Sequence, residues 1–359
     1  MDYSYELGPI RPPSEAYSLL IRATMNCPWN RCKFCSSYKK DKFQLRPVAD
    51  IKKDIEIAKA IYDDVAKRAL ETGYGNRVKE VAGLILNSPH NQVVHNVALW
   101  IYSGAENIFL QDADSLIMRA GELVEVLHFI KEVFPTVKRI TSYARSKTAA
   151  KKKPEELEAL RKAGLSRLHI GLESGYDPIL QFMDKGATAE AHIKGGRNIV
   201  ESGISLSEYV LLGLGGKEMW REHAVETGRV LSEINPNFIR IRTLSVGKRT
   251  LLYDDVEAGN FTQLTDEEMM AEEKLLIENL HCTSAFVSDH VGNLLQEIEG
   301  KLPQDKNRML AVIDRFQSLS PEERTNFVVG KRSGIYTFLD DMDKSYKHQV
   351  VEQIVDKQN

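Results

Sequence analysis

Cysteine is scarce in this sequence: there are four in 359 residues, and only Cys282 lies outside the stretch from 27 to 35. A disulfide framework takes an even number of cysteines in a short secreted chain, and a sequence of 359 residues is not such a chain. A second Cys-x2-Cys arm is also missing, so a closed four-ligand zinc site lacks half its ligands. No apolar run approaches bilayer length, and the start Met1-Asp2-Tyr3-Ser4-Tyr5-Glu6-Leu7-Gly8 holds neither a basic nor an apolar stretch. The expectation is a cytoplasmic, reducing setting with no membrane. Net charge is only −3, which gives no global pull toward nucleic acid, so a polynucleotide ligand requires a local basic patch. Internal repeats, low-complexity tracts and a Cys-rich second cluster domain are absent as well.

What the chain does have is 42% hydrophobic and 28% charged residues, enough for one large core plus an appendage. It also has three cysteines in one loop, Cys27-Pro28-Trp29-Asn30-Arg31-Cys32-Lys33-Phe34-Cys35, spaced C-x4-C-x2-C. Three thiolates this close hold three corners of one metal centre, and soft sulfur selects zinc, copper(I) or iron–sulfur clusters. Three ligands leave an iron open to a substrate. The alternatives are zinc completed by a distant histidine, as in a non-catalytic metal- or RNA-binding protein, and a Cys-x2-Cys redox pair.

Apolar periodicity predicts strands alternating with helices. Ser18–Arg22 reads as a first strand that delivers the chain into the cysteine loop. Ile51, Ile55, Ala58, Ile61 and Val65 recur at helical spacing, and a second helix is expected from about Val78 to Trp100. Further strands are expected at Asn107–Gln111, Arg139–Tyr143, Leu168–Leu172, Leu206–Leu212 and Phe238–Arg242. Helices lie between them: one carries Leu123, Val126, Leu127 and Ile130 on one face, one runs from Pro154 to Ala163 with Gly164 as its C-cap, and one runs from about Ala189 to Ser202. Such alternation implies parallel strands with right-handed crossovers. A doubly wound sheet fits the alternation as well as a barrel does.

The cysteine loop after the first strand resembles that of the radical S-adenosylmethionine (SAM) superfamily, although the usual spacing there is C-x3-C-x2-C. Phe34 fits that family's Cys-x-aromatic-Cys pattern. The run His169-Ile170-Gly171-Leu172-Glu173-Ser174-Gly175 and then Met183-Asp184-Lys185-Gly186 resembles the fourth-strand segment of the branch with oxygen-independent coproporphyrinogen oxidases, methylthiotransferases and related Fe–S oxidoreductases. The similarity covers residues 17 to 245.

The resemblance implies an α/β fold, a partial (β/α)6 TIM-like barrel over residues 1–245, followed by a mainly helical, substrate-capping region over 246–359. It implies a [4Fe-4S] cluster on Cys27, Cys32 and Cys35, with SAM as second cofactor. Phe34 then lies near the adenine, Glu173 binds the ribose, and Lys185 meets the SAM carboxylate as a point charge. In place of the Gly-Gly-Glu-like segment that many members carry after the second strand, this chain has Gln111-Asp112-Ala113-Asp114-Ser115. Alternation places Asp112 and Asp114 on one face, where a carboxylate pair serves the SAM amino group or the substrate; the bland alternative makes Asp114 a helix cap. Ser142, Tyr143 and Arg145 end the third strand at the same rim, where one of them is expected to contact SAM without the sequence choosing which, and the Gly213 turn lets the adenosyl group approach the backbone.

On the substrate side the expected residues are Tyr143, Arg240, Arg242, Asp289 and His290. An inward arginine pair calls for a carboxylate or phosphate on the substrate, whereas salt bridges to barrel acids are the other reading. His290 reads as readily as a cap. In such enzymes one electron cleaves SAM to methionine and a hydrogen-abstracting 5′-deoxyadenosyl radical. The expected partners are a small anionic molecule, a modified nucleoside phosphate among the candidates, and an electron donor such as flavodoxin or ferredoxin. Lyase, rearrangement and oxidation chemistry all remain open. The overall look is similar to the queuine lyases, which release queuine from queuosine 5′-phosphate.

Overall fold

The computed structural model describes residues 3–39 and 41–355. In chain order its principal elements are β1 (Leu19–Arg22), α1 (Val48–Glu71), α2 (Val78–Leu86), α3 (Gln92–Tyr102), β2 (Asn107–Gln111), α4 (Ala120–Val133), β3 (Arg139–Ala144), α5 (Ser146–Ala149), α6 (Pro154–Ala163), β4 (Leu165–Glu173), α7 (Asp177–Phe182) and α8 (Ala189–Glu201). There follow β5 (Ser205–Leu212), α9 (Gly216–Ile234), β6 (Phe238–Thr243), α10 (Leu252–Glu257), α11 (Asp266–Glu278), β7 (Ala285–Val287), β8 (Gly300–Lys301), α12 (Lys306–Ser318), α13 (Pro321–Arg332) and α14 (Ser345–Val355). Every expected strand is present within a few residues of its expected bounds. The single helix expected from Val78 to Trp100 is instead two. Pro89 has no N–H to continue a helix and restricts Ser88 before it, and the Asn91 side chain then caps α3 by accepting from the Val94 N–H.

The chain folds as two compact units, one of residues 1–31, 35–170 and 194–206, the other of 32–34, 171–193 and 207–359. In the first, β1, β2, β3 and β4 pair side by side and parallel, in sequence order. That order separates the two topologies left open by the alternation, because a doubly wound sheet reverses its strand order at a switch point. The architecture is the mixed α/β class expected of a partial (β/α) barrel. Ile108, Leu110, Ile140, Leu168 and Ile170 are fully buried, as are the predicted stripe of α1 and the apolar face of α4. α1 packs on α2, α3 and α4, and Gly164 caps α6 in the left-handed conformation as expected.

In the second unit β5, β6 and β7 are parallel and β8 pairs antiparallel with β7. Its buried cluster is Ile179, Met183, Leu214, Leu252 and Phe261, with Phe34 and Leu211 packed against it. The charged C-terminal stretch is helical as expected over its described part, and Phe316, Phe327 and Tyr336 form its aromatic core.

Candidate radical SAM site

The loop that follows β1 is shaped by one carboxylate. Asp112, just beyond β2, is fully buried. Its Oδ2 accepts from Arg22 Nε at 2.6 Å and from the Asn26 N–H at 3.1 Å, and its Oδ1 accepts from the Tyr38 hydroxyl at 2.8 Å. Burial and then the Asp112 charge push the Tyr38 phenol far up, so Tyr38 stays a donor. Arg22 also reaches Glu6 and the Asn26 side chain. Asn26 and Asn30 take left-handed backbone angles on either side of Cys27, which asparagine tolerates better than most residues. The Asn30 N–H points at Cys27 Sγ, 3.4 Å away.

The expected Asp112–Asp114 carboxylate pair is therefore not formed. β2 ends at Gln111, so strand alternation does not carry through to Asp114. Asp114, fully buried, accepts instead from the Arg145 N–H at 3.3 Å and the Thr148 hydroxyl at 2.5 Å, and so is tied to the segment around α5 and does not cap the helical turn that follows it. Burial outweighs those hydrogen bonds and pushes its carboxyl up to about 6. The Ser142 hydroxyl is buried against Leu110 O (2.9 Å) and Ser115 Oγ (2.6 Å). The Arg145 guanidinium lies over the Trp29 ring of the cysteine loop at 5.3 Å, beside Arg31 and Lys147. Tyr143 packs edge-on to Phe109 and His169.

In the second unit the structure brings three predicted SAM residues together. Lys185 Nζ is 3.0 Å from Glu173 Oε1 and 5.8 Å from the centroid of the Phe34 ring. The Cys32–Phe34 segment is held there by backbone bonds from Lys33 N–H to Met183 O (2.9 Å) and from Leu252 N–H to Lys33 O (3.0 Å). Gly175 lies so close to the backbone of Glu226 and Thr227 that a Cβ has no room, which accounts for the glycine after Glu173-Ser174. Gly213 takes a left-handed φ of 81°.

Two residues that sequence reasoning missed tie these positions to one another. His223 on α9 sets Nδ1 2.6 Å from Glu272 Oε1 and Nε2 3.1 Å from the Glu173 carbonyl. Glu272 Oε2 accepts from the Gly213 N–H at 2.6 Å. A histidine and a glutamate on polar helices carry no sequence signal of burial, yet both are enclosed. Glu208 did carry a signal, an acid in mid-strand. It is fully buried with neither oxygen partnered among the described residues, and burial, opposed by Lys185, holds its carboxyl well above the usual range.

Of the expected substrate residues, Arg240, Arg242, Asp289 and His290 come together, and Tyr143 belongs to the aromatic group described above. Cys282 is buried and free, after α11.

Cys27, Cys32 and Cys35 are in no disulfide and are half-buried, and Cys27 already receives a backbone N–H, as cluster sulfurs do. Among the described residues no three His, Cys, Asp or Glu side chains gather about a single ion, whereas a cubane cluster takes each thiolate on a separate corner iron. The donor set suits a [4Fe-4S] cluster. A profile of the radical SAM superfamily matches residues 88–227, the span that carries β2 to β5 and the Glu173 segment.

Residues 88–227 are thus a radical SAM domain.

Enzymes of that superfamily use a [4Fe-4S] cluster and SAM. The matched span begins after the cysteine loop. A tRNA uridine(34) acetyltransferase of Methanocaldococcus jannaschii is 28% identical over 120 residues, 32% of this chain and 21% of that protein. The chain thus matches about a fifth of that relative's length. Among solved structures, Elp3 of Methanocaldococcus infernus superposes with a TM-score of 0.41 at 17% identity, covering 51% of this chain and 48% of that one. The radical SAM methyltransferase TsrM of Kitasatospora setae, with cobalamin and a [4Fe-4S] cluster bound, gives 0.46 at 13% identity over 71% and 40%. Among the described residues no helix is long and apolar enough to cross a membrane.

Proposed function

We propose that this protein abstracts hydrogen from a small-molecule substrate, with Cys27, Cys32 and Cys35 as the cluster ligands and Glu173, Lys185 and Phe34 as contacts to SAM. The cluster and SAM together supply a 5′-deoxyadenosyl radical once a donor of the flavodoxin or ferredoxin kind provides one electron; the hard chemistry is the cofactors'. The grouping of Lys185 with Glu173 and Phe34 carries the reading. On this reading the ammonium suits a carboxylate, the carboxylate suits hydroxyl donors and the aromatic face suits a base, all within one small region. The partner residues do the positioning: Asp112 shapes the turn into Cys27, and the Gly175 approach to α9 sets the end of β4.

With a single cysteine outside the loop, no second cluster motif supports sulfur insertion or methylthio transfer. The reading taken is a lyase, with release of queuine from queuosine 5′-phosphate as its specific form and an oxidase or rearrangement enzyme on another small anionic metabolite as the alternative. Anaerobically reconstituted protein incubated with SAM and dithionite is expected to form 5′-deoxyadenosine, and faster when substrate is added. A colourless protein that binds zinc but not SAM overturns the assignment of the loop. Radical turnover without free queuine removes only the lyase reading.

A further inference from the structure

The second unit carries a pair of arginines that share one carboxylate among the described residues. Arg240 and Arg242 stand two apart on β6 and share a face. Both reach the same carboxylate: Arg240 Nη1 lies 2.5 Å from Asp289 Oδ2, and Arg242 Nη1 lies 3.0 Å from Oδ1. Arg240 Nε also donates to Ser207 Oγ at 3.2 Å, and Arg242 Nη1 to the Ile241 carbonyl at 2.7 Å. The side chains of Arg240 and Arg242 are only 7% and 14% exposed.

Two guanidiniums set against one carboxylate leave a net cation, and the geometry says where it faces. Arg242 Nη2 is buried and has no hydrogen-bond partner among the described residues. A buried N–H left unpaired is costly, and more so on a charged group. The Arg242 plane is fixed by the Tyr209 ring, 4.8 Å from its central carbon, so its open edge is preset and loses little freedom when it binds. The neighbouring His290 adds no positive charge: burial first and then Arg242 lower its pKa, against the opposing pull of Asp289.

We propose that the open edge of Arg242, backed by Arg240 and held by Asp289 and Tyr209, binds an oxyanion, the carboxylate or phosphate of a small anionic substrate. This deepens, and rests on, the reading that the substrate is a small molecule. Asp289 then has two effects: it orients both arginines, and it competes with the incoming anion for their charge.

The test uses the full chain, titrated in parallel with inorganic phosphate and with acetate at constant ionic strength by calorimetry. Wild type is expected to bind at least one of the two, and the tighter one names the class. Arg242→Met should weaken that anion about tenfold or more, the worth of one charge-assisted hydrogen bond. Asp289→Asn should tighten it severalfold, an opposite change that a merely folded-state defect does not produce. If Arg242→Met does not fold, the Asp289→Asn direction decides by itself. No binding of either anion, unchanged affinity in Arg242→Met, or weaker binding in Asp289→Asn overturns the proposal. These titrations need neither SAM nor turnover, so they stand apart from 5′-deoxyadenosine formation by the wild-type protein, which tests the radical reading separately.

Discussion

His223 Nδ1 lies 2.6 Å from a Glu272 carboxylate oxygen, and both side chains are buried. Burial by itself lowers an imidazole pKa, but the Glu272 charge, its hydrogen bond and the Glu173 carbonyl outweigh it, and the net shift is upward. Both ring nitrogens face acceptors, an arrangement that favours the protonated histidine between Glu272 and the end of β4, and the other Glu272 oxygen holds the Gly213 turn at the end of β5. Removing one partner strands a charge in a dry site. His223→Leu or Glu272→Leu is expected to cost about 3–5 kcal/mol each, and the double variant less than their sum. Denaturant midpoints measure this, and full additivity refutes the coupling. The pKa is raised on folding, so the pair's contribution is complete below the unfolded value, about 6.5, and is lost as pH rises through the folded one.

The cluster assignment predicts a split among the four cysteines. Cys27→Ala, Cys32→Ala and Cys35→Ala should each lose iron after anaerobic reconstitution, and Cys282→Ala should keep it, since that thiol is buried alone. Iron and sulfide counts decide, and normal iron in Cys32→Ala sinks the ligand set.

Glu173 is assigned to the SAM ribose, and its carboxylate is already oriented by Lys185. Glu173→Ala should weaken SAM binding by an order of magnitude or more, the equivalent of about 1.5–3 kcal/mol, with iron content intact. Equal SAM affinity in the variant and wild type, measured by equilibrium dialysis, would move attention to Arg145 and Gly213.

Asp114 predicts a pH dependence. Its carboxyl rises from 3.8 to about 6 through burial, which the Thr148 and Arg145 hydrogen bonds offset only in part. A folded pKa above the unfolded one favours folding while the group is protonated, so the contribution is complete below 3.8 and lost as pH rises through about 6. The difference is worth about 3 kcal/mol, order of magnitude, at 1.36 per pKa unit. Asp114→Asn should gain that much on wild type between about pH 3.5 and about pH 7.5. Parallel stability curves for the two proteins across that range refute the assignment.

Much of the fold was legible because periodicity is local and repeated: Ile51 to Val65 and the strand runs each show their pattern within a few residues. The cysteine spacing and the Glu173 segment were legible for the same reason. Even the break at Pro89 was written locally, although the apolar residues on either side of it suggested one helix. Tertiary structure alone decided the partners. Asp112 reads from the chain as a SAM ligand paired with Asp114, and becomes the anchor of the cysteine loop because β1 and β2 pair in parallel, which brings Arg22 to it from 90 residues away. His223 and Glu272, 49 residues apart, resemble any polar residues on amphipathic helices until α9 and α11 pack together. Which face of a strand or helix is apolar depends on near neighbours in the chain. Which charge meets which depends on the order in which elements assemble, and a one-dimensional pattern does not contain those distances.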